Sequence, residues 1–444
     1  MARIELHTGV EESISAEDVP GFVIKKVDLG GIRLETPVRT LYLSKDVPVR
    51  ARRRILDLKE RKETLFEVNR TIYMDRSYNS ILHAVRESDD DGIRDTFKLS
   101  EELANYNIAL PLSFSKFPQK VFGMEYFERF LDYLHEYSAV LFVPHVRFAR
   151  ETGATAVNYG ARSFVRYVDH VVETLNEWNT KPIFVPLDVD YPAETTKSII
   201  AHYAEKGYTN IWVDFKGHTF TKSRSGRMRS LKRLIDDFFG EESKNVIIYL
   251  SNIKKIQREH PREVKLRPSD IFGTFVYGDI VGIPWKGIVW PSKGSDPEND
   301  DYWIKKGFST QEEYEKAVFK RDTSLFDNDS YYYWHPDKIR FRDTNLDRLR
   351  EEILSMKMRQ KSVAERISHS ISNVIALREL SELKRKVLSE GTIRDHLESR
   401  EYFATAGKKM LESISIRPRK RRTGKKKTTE KPKKNLFDFM DSFD

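Results

Sequence analysis

The chain sets charged and hydroxyl-bearing residues at the ends of short apolar runs. They are Asp75 and Arg76 after TLFEVNRTIYM, Ser113 in NIALPLS, and His145 with Arg147 after AVLFVP. Further along come Asp188 and Asp190 in PIFVPLDVD, then Asp214, Lys216 and His218 after TNIWV. Ser251 and Asn252 close NVIIYLS, and Asp279 lies in DIFGTFVYGDIVG. Carboxylates gathered on one rim repel each other. They coexist only with a metal, a cationic substrate group or a shared proton. That is the equipment of nucleophilic and general acid–base catalysis. Each Asp taken singly also suits a helix N-cap or a rim ion pair, so function is expected of the set rather than of every member.

A second constellation is electrostatic. Residues 217–233, GHTFTKSRSGRMRSLKR, carry Lys222, Arg224, Arg227, Arg229, Lys232 and Arg233 and no acid. Cations, backbone amides and a helix beginning just afterwards make a phosphate site, with Lys216 and His218 at its edge. A solvated mobile loop is the plainer alternative.

These residues need elements to position them. From about residue 38 the sequence alternates apolar runs with helical patterns. The runs are 38–44, 64–75, 107–113, 139–144, 182–190, 209–215, 245–251 and 270–282. They are continuously apolar rather than alternating, which suits parallel strands covered on both faces. Between them, Phe127, Phe130, Leu131 and Leu134 form one helical stripe. Phe164, Val165, Val168, Val171, Val172 and Leu175 form another, and Leu231, Leu234, Ile235 and Phe238 a third. This alternation predicts an α/β fold, a TIM-like (β/α)8 barrel over 37–290, with catalytic groups where strands end. No GxGxxG turn follows the first strand, which disfavours a dinucleotide-binding sheet. Residues 1–36 read as a β-rich entry. The span 291–416 reads as loops with a short helix followed by a long helical extension over 346–390 that packs on the barrel.

The composition bounds the rest. The 444 residues contain no cysteine, so disulfides, thiolate nucleophiles and Cys-ligated metals are excluded. Neither a signal peptide nor a membrane-length apolar run is apparent. The expected location is cytoplasmic and nucleoid-associated, or nuclear in a eukaryote. The net charge is +9. Residues 417–434 carry eleven Lys/Arg and one Glu, a charge of +10, which leaves the remainder at −1. That basic stretch reads as a disordered linker.

The last ten residues, 435–444, NLFDFMDSFD, return to bulky apolar side chains. A chain end with no core to join has no folding use for them, so a partner's groove is the expected destination. Lys433–Met440 resembles the PCNA-interacting peptide, archaeal versions especially. Lys433 stands in the Gln slot, Leu436 is the aliphatic plug, and Phe439 and Met440 fill the aromatic pair. Binding to a sliding clamp is what the resemblance implies.

The order of runs over 30–290 resembles that of the tRNA-guanine transglycosylase superfamily, which includes DNA-guanine transglycosylases. The similar segments are GGIRLETPVRTLYLS, TIYMDRSYNSI, PIFVPLDVDYPAETTKSIIAHYAEKGYTNIWV, and NVIIYLSNIKKI followed by VYGDIVG. The resemblance implies that Asp279 is the nucleophile at the sugar anomeric carbon and Asp75 the acid/base near the purine. The chain departs from the family in lacking its zinc cysteines, and Arg76-Ser77-Tyr78-Asn79 replaces its Gly-Gly-Phe-Gln run. The resulting expectation is a clamp-associated base-exchange enzyme acting on DNA with no cofactor. One alternative is a metal-dependent nuclease holding a divalent ion such as Mg through Asp188, Asp190, Asp214 and His218. Another is a non-catalytic clamp adaptor.

Overall fold

The computed structural model describes residues 8–72, 75–103, 105–146, 154–177, 181–257, 260–285 and 302–416. The chain opens with an antiparallel meander, β1 (Thr8–Ser15), β2 (Val23–Leu29) and β3 (Ile32–Thr36). An alternation of strands and helices follows. It begins with β4 (Val38–Arg39), β5 (Leu41–Tyr42) and α1 (Val49–Leu56), then β6 (Phe66–Glu67), β7 (Arg70–Ile72), α2 (Asp75–Arg86) and α3 (Asp90–Phe97). Next come β8 (Ile108–Ala109), β9 (Leu112–Phe114), α4 (Pro118–Phe122) and α5 (Met124–Tyr137), then β10 (Leu141–Phe142), β11 (His145–Val146) and α6 (Ala154–Asn176). The series closes with β12 (Ile183–Asp188), α7 (Ala193–Lys206), β13 (Asn210–Asp214), α8 (Lys222–Phe239), β14 (Ile247–Ser251), β15 (Lys265–Leu266) and β16 (Ile280–Val281).

The parallel six-stranded sheet has the order β10-β12-β13-β14-β16-β4. Two three-stranded parallel sheets, β5-β6-β8 and β11-β9-β7, continue its strands. The large sheet is curled. Phe142 on β10 and Tyr249 on β14 have two strands between them, yet their rings lie 4.9 Å apart. Phe184 and Trp212 pack on the same aromatic centre. The strands are buried on both faces, as their continuous apolar runs require.

Beyond β16 the described chain contains α9 (Tyr302–Lys305), α10 (Gln311–Asp322), β17 (Leu325–Asp327), β18 (Tyr332–Trp334), α11 (Thr344–Ser355), α12 (Lys361–Glu390), α13 (Arg394–Glu398), α14 (Glu401–Ala404) and α15 (Lys408–Ile414). Strands β15, β18 and β17 form an antiparallel sheet. The span expected as loops with one short helix therefore holds two strands as well. The long helical pattern breaks between α11 and α12. Helix α12 packs against β4 and β5, where Arg39 pairs with Asp270 at 2.5 Å, both fully buried, and also reaches Asn373. The expected stripe on α5 is buried, and so is that on α6 except for the half-buried Val165. On α8, Phe238 is 39% exposed and Phe239 turns inward instead. Among the described residues, no helix is long and apolar enough to cross a membrane.

Candidate functional site

Parallel strands in register bring their last residues side by side. Asp188 on β12 pairs with Asp214 on β13, and Asp214 with Ser251 on β14. In a parallel strand alternate residues share a face, so these three project over the aromatic layer formed by Trp212, Tyr249 and Phe142. Trp212 Nε1 donates to Ser251 Oγ at 2.5 Å, tying one layer to the next.

Asp214 is fully buried and its carboxylate is saturated with donors. Oδ1 accepts from Asn252 Nδ2 and from the Lys216 backbone N–H, each at 2.8 Å. Oδ2 accepts from Ser113 Oγ at 3.2 Å and lies 3.2 Å from His145 Nδ1. A carboxylate can only accept, so Nδ1 carries the proton, and the whole ring, Nε2 included, is buried. Nε2 has a long contact, 3.5 Å, with the Tyr191 hydroxyl. Burial pushes Tyr191 well above its usual pKa, so this hydroxyl keeps its proton.

Asp188 is the neighbouring charge. Its Oδ1 caps the turn by accepting from the Asp190 N–H at 2.7 Å, and its Oδ2 pairs with Lys216 Nζ. Lys216 and Asn252 both hold positive φ, 51° and 56°. Side-chain-bearing residues adopt this region at a cost, and such positions cluster at functional sites. Gly217 follows at φ 76°, and the Trp285 ring lies 2.4 Å from where its Cβ would be, so no other residue fits there. Asp188 borders a cleft of about 1600 Å³ between α7 and α8, lined also by Asp190, Tyr191 and Arg227.

One group here was not anticipated. Glu67, at the end of β6, is fully buried. Its Oε2 accepts from Tyr249 Oη at 2.6 Å, Thr40 Oγ1 at 2.7 Å and the Ile283 N–H at 2.9 Å. Burial pushes its carboxyl above the usual range. Gly282 has no side chain because a Cβ there would lie 2.5 Å from Oε2. The signal in the sequence was a lone Glu inside the apolar run TLFEV.

The two carboxylates implied by family resemblance are not brought together. The run 270–282 is not one strand. Residues Asp270–Phe275 form a 3-10 turn and the strand begins at Ile280. Asp279 therefore precedes its strand, at the end opposite to Asp188 and Asp214. It is bound by Lys25 Nζ at 2.9 Å and the Ile248 N–H at 2.8 Å, which pins the N-terminal meander to the sheet. Asp75 follows β7 and opens α2, where it is solvent-exposed and paired with Lys116 at 2.6 Å.

The basic stretch also differs from its expectation. Thr221 caps α8 at Lys222, so most of the stretch is helix rather than loop. It is also partly neutralised. Asp190 pairs with Arg227 at 2.8 Å, His218 at 2.9 Å and Arg224 at 3.5 Å. Arg229 turns away to the Ser413 carbonyl at 2.6 Å, and Lys232 pairs with Asp236 at 2.5 Å. With Asp190 held by cations and Asp214 by four donors, the four groups expected to ligate a metal do not converge. Among the described residues no three His, Asp or Glu side chains form a metal-sized cluster. Arg147 and the clamp-peptide residues Lys433, Leu436, Phe439 and Met440 lie outside the described residues.

No protein-family model matches the chain, and no curated protein matches it significantly.

Proposed function

We propose that this chain is a DNA-acting enzyme that exchanges purine bases by glycosyl transfer at the C-terminal ends of its parallel strands. We further propose that those strands make one (β/α)8-type barrel. Supporting this are the parallel pairings β4–β16, β5–β6, β6–β8, β7–β9 and β9–β11, which link the ends of the six-stranded sheet through short interruptions of the same runs, with a parallel bridge at Ala109–Val140. A TIM-type rim is where such chemistry sits.

The observation that carries the reading is the pairing of two unlike carboxylate sites on adjacent strands. Asp214 is saturated and orients His145, and Asp188, its side chain fully buried, has Lys216 as its cationic partner. In the proposed reaction, an Asp188 oxygen forms a bond to C1′ as the C1′–N9 bond breaks. The departing purine takes the N9 proton from His145 Nε2–H, whose imidazolium charge Asp214 balances. The incoming base then gives its N9 proton to Nε2 and displaces Asp188 from C1′. The nucleophile role thus moves from Asp279 to Asp188. The family resemblance, the basic residues near the rim and the C-terminal peptide favour DNA bearing a sliding clamp as the setting.

The test is incorporation of labelled guanine into duplex DNA by the full chain, with and without EDTA. Incorporation that survives EDTA is expected. No incorporation, with nicking that requires a divalent metal, would replace this reading with the nuclease one.

A further inference from the structure

The rim continues into a second groove rich in cationic side chains. It occupies about 550 Å³ beside the loop that follows Lys216, within the size range of small-ligand sites. Lys222, Lys254, Arg267 and Lys409 line it together with His218, which pairs with Asp190, and its described lining includes no carboxylate. The cleft bordered by Asp188 differs in this respect. There Asp190, Glu194, Asp236 and Asp237 alternate with arginines. In the second groove the cations come from four separate pieces of chain. They are the loop and first turn of α8, the segment after β14, the segment after β15, and α15.

The wall opposite the loop is firmly built. Ser413 Oγ donates to Ser225 Oγ at 3.1 Å, and Arg229 binds the Ser413 carbonyl, fixing α15 on α8. Gly407 lies so close to Tyr402 that a Cβ would sit 2.3 Å from its ring. Helix α8 is 18 residues long and its N-terminus opens on this groove, so its first N–H groups add to the positive field. Seven residues beyond Met410 the sequence enters the basic stretch at Arg417.

We propose that this groove holds the phosphodiester backbone of the nucleic acid whose nucleotide is presented to Asp188. The inference rests on the proposed function and deepens it by naming where the strand lies. Like-signed cations from four segments, held near one another by packing, suit a ligand that brings several negative charges. A phosphodiester strand does so and needs no base-specific contact. The loop joining the groove to Lys216 then sets the distance between a bound phosphate and the reacting sugar.

The test is a salt series of binding by the full chain to short fluorescent oligonucleotides, in DNA and RNA of one sequence. The double variant Lys222→Ala/Lys409→Ala is compared with the native chain and with Lys425→Ala/Lys426→Ala/Lys427→Ala in the tail. Loss of two phosphate contacts should lower the slope of log K against log salt by about 1 to 2, with affinity reduced about tenfold. The tail variant should add its own separate loss. Relative binding of the DNA and RNA arms identifies the sugar type. If the groove variant binds as the native chain does with an unchanged slope, the groove assignment falls and base exchange stands. If the native chain binds neither nucleic acid, both fall. Lost binding in the groove variant alongside no guanine incorporation by the native chain would keep the groove and remove the base-exchange reading. Lys222→Glu alone, on an exposed helical turn, guards against a folding artefact and should weaken binding in the same direction.

Discussion

His145 is held by Asp214 at Nδ1, and its Nε2 lies 3.5 Å from the Tyr191 hydroxyl. Replacing it with Asn keeps a donor near Asp214 but removes the proton carrier. Activity should fall by about 10²- to 10⁴-fold, the usual worth of a positioned acid–base group, and the melting temperature should change little. Asp279 should behave in the opposite way. Asp279→Ala leaves Lys25 buried without its carboxylate, and breaking such a pair costs about 3 kcal/mol or more, readable in a denaturant titration. Lys255 gives a pH signature. It is buried against Ser368 Oγ at 3.0 Å and the Asp322 carbonyl at 3.2 Å, and burial lowers its pKa from 10.5 to about 8. Between those values the unfolded chain binds a proton that the folded chain has shed. Stability should therefore rise as pH climbs from about 8 to 10.5, by up to roughly 3 kcal/mol, and be independent of this group below about 8, where both states hold the proton. Lys255→Met should flatten that rise. Asp188, Asp214 and His145 could be picked out in the sequence because each ends an apolar run. Their separate tasks could not, because those depend on Asn252 and Ser113 from other strands.

At the scale of elements, the strands and the amphipathic stripes were legible because burial on both faces leaves unbroken apolar runs. Where the reading failed, long-range pairing or local capping decided the outcome. Strands β17 and β18 look like aromatic loop sequence because they are short and β18's other partner, β15, pairs Lys265 with Trp334 and so comes from far earlier in the chain. The run 270–282 is apolar throughout because its 3-10 turn is as buried as the strand, so apolarity alone could not show that the strand starts at Ile280. The basic stretch forms helix because Thr221 caps it. The connection between β13 and α8 is specified most tightly at Gly217. Gly217→Ala sets a Cβ against Trp285 at a left-handed φ and should lower stability by about 1–3 kcal/mol, measurable by thermal melting. If the loop sets the phosphate-to-sugar distance, the same variant should lose more activity than stability.

For the whole molecule, the charge is divided. The basic stretch supplies +10 and the remainder sums to −1, so general attraction to a polyanion belongs to the tail while contacts near the rim are local. The proposed clamp peptide adds a separate handle. Leu436→Ala/Phe439→Ala should abolish binding to a sliding clamp in a pull-down and leave guanine exchange on short DNA unchanged. A loss of exchange on short DNA would tie those residues to the reaction centre instead. The proposed reaction centre lies at Asp188 on the strand C-terminal ends rather than at Asp279 on the opposite end. The most direct measurement is labelled-guanine incorporation into DNA by the full chain carrying Asp188→Asn or Asp279→Asn, each assayed at a temperature where its fold is intact. Asp188→Asn should abolish incorporation and Asp279→Asn should retain it. Incorporation that survives Asp188→Asn and disappears with Asp279→Asn would contradict that placement.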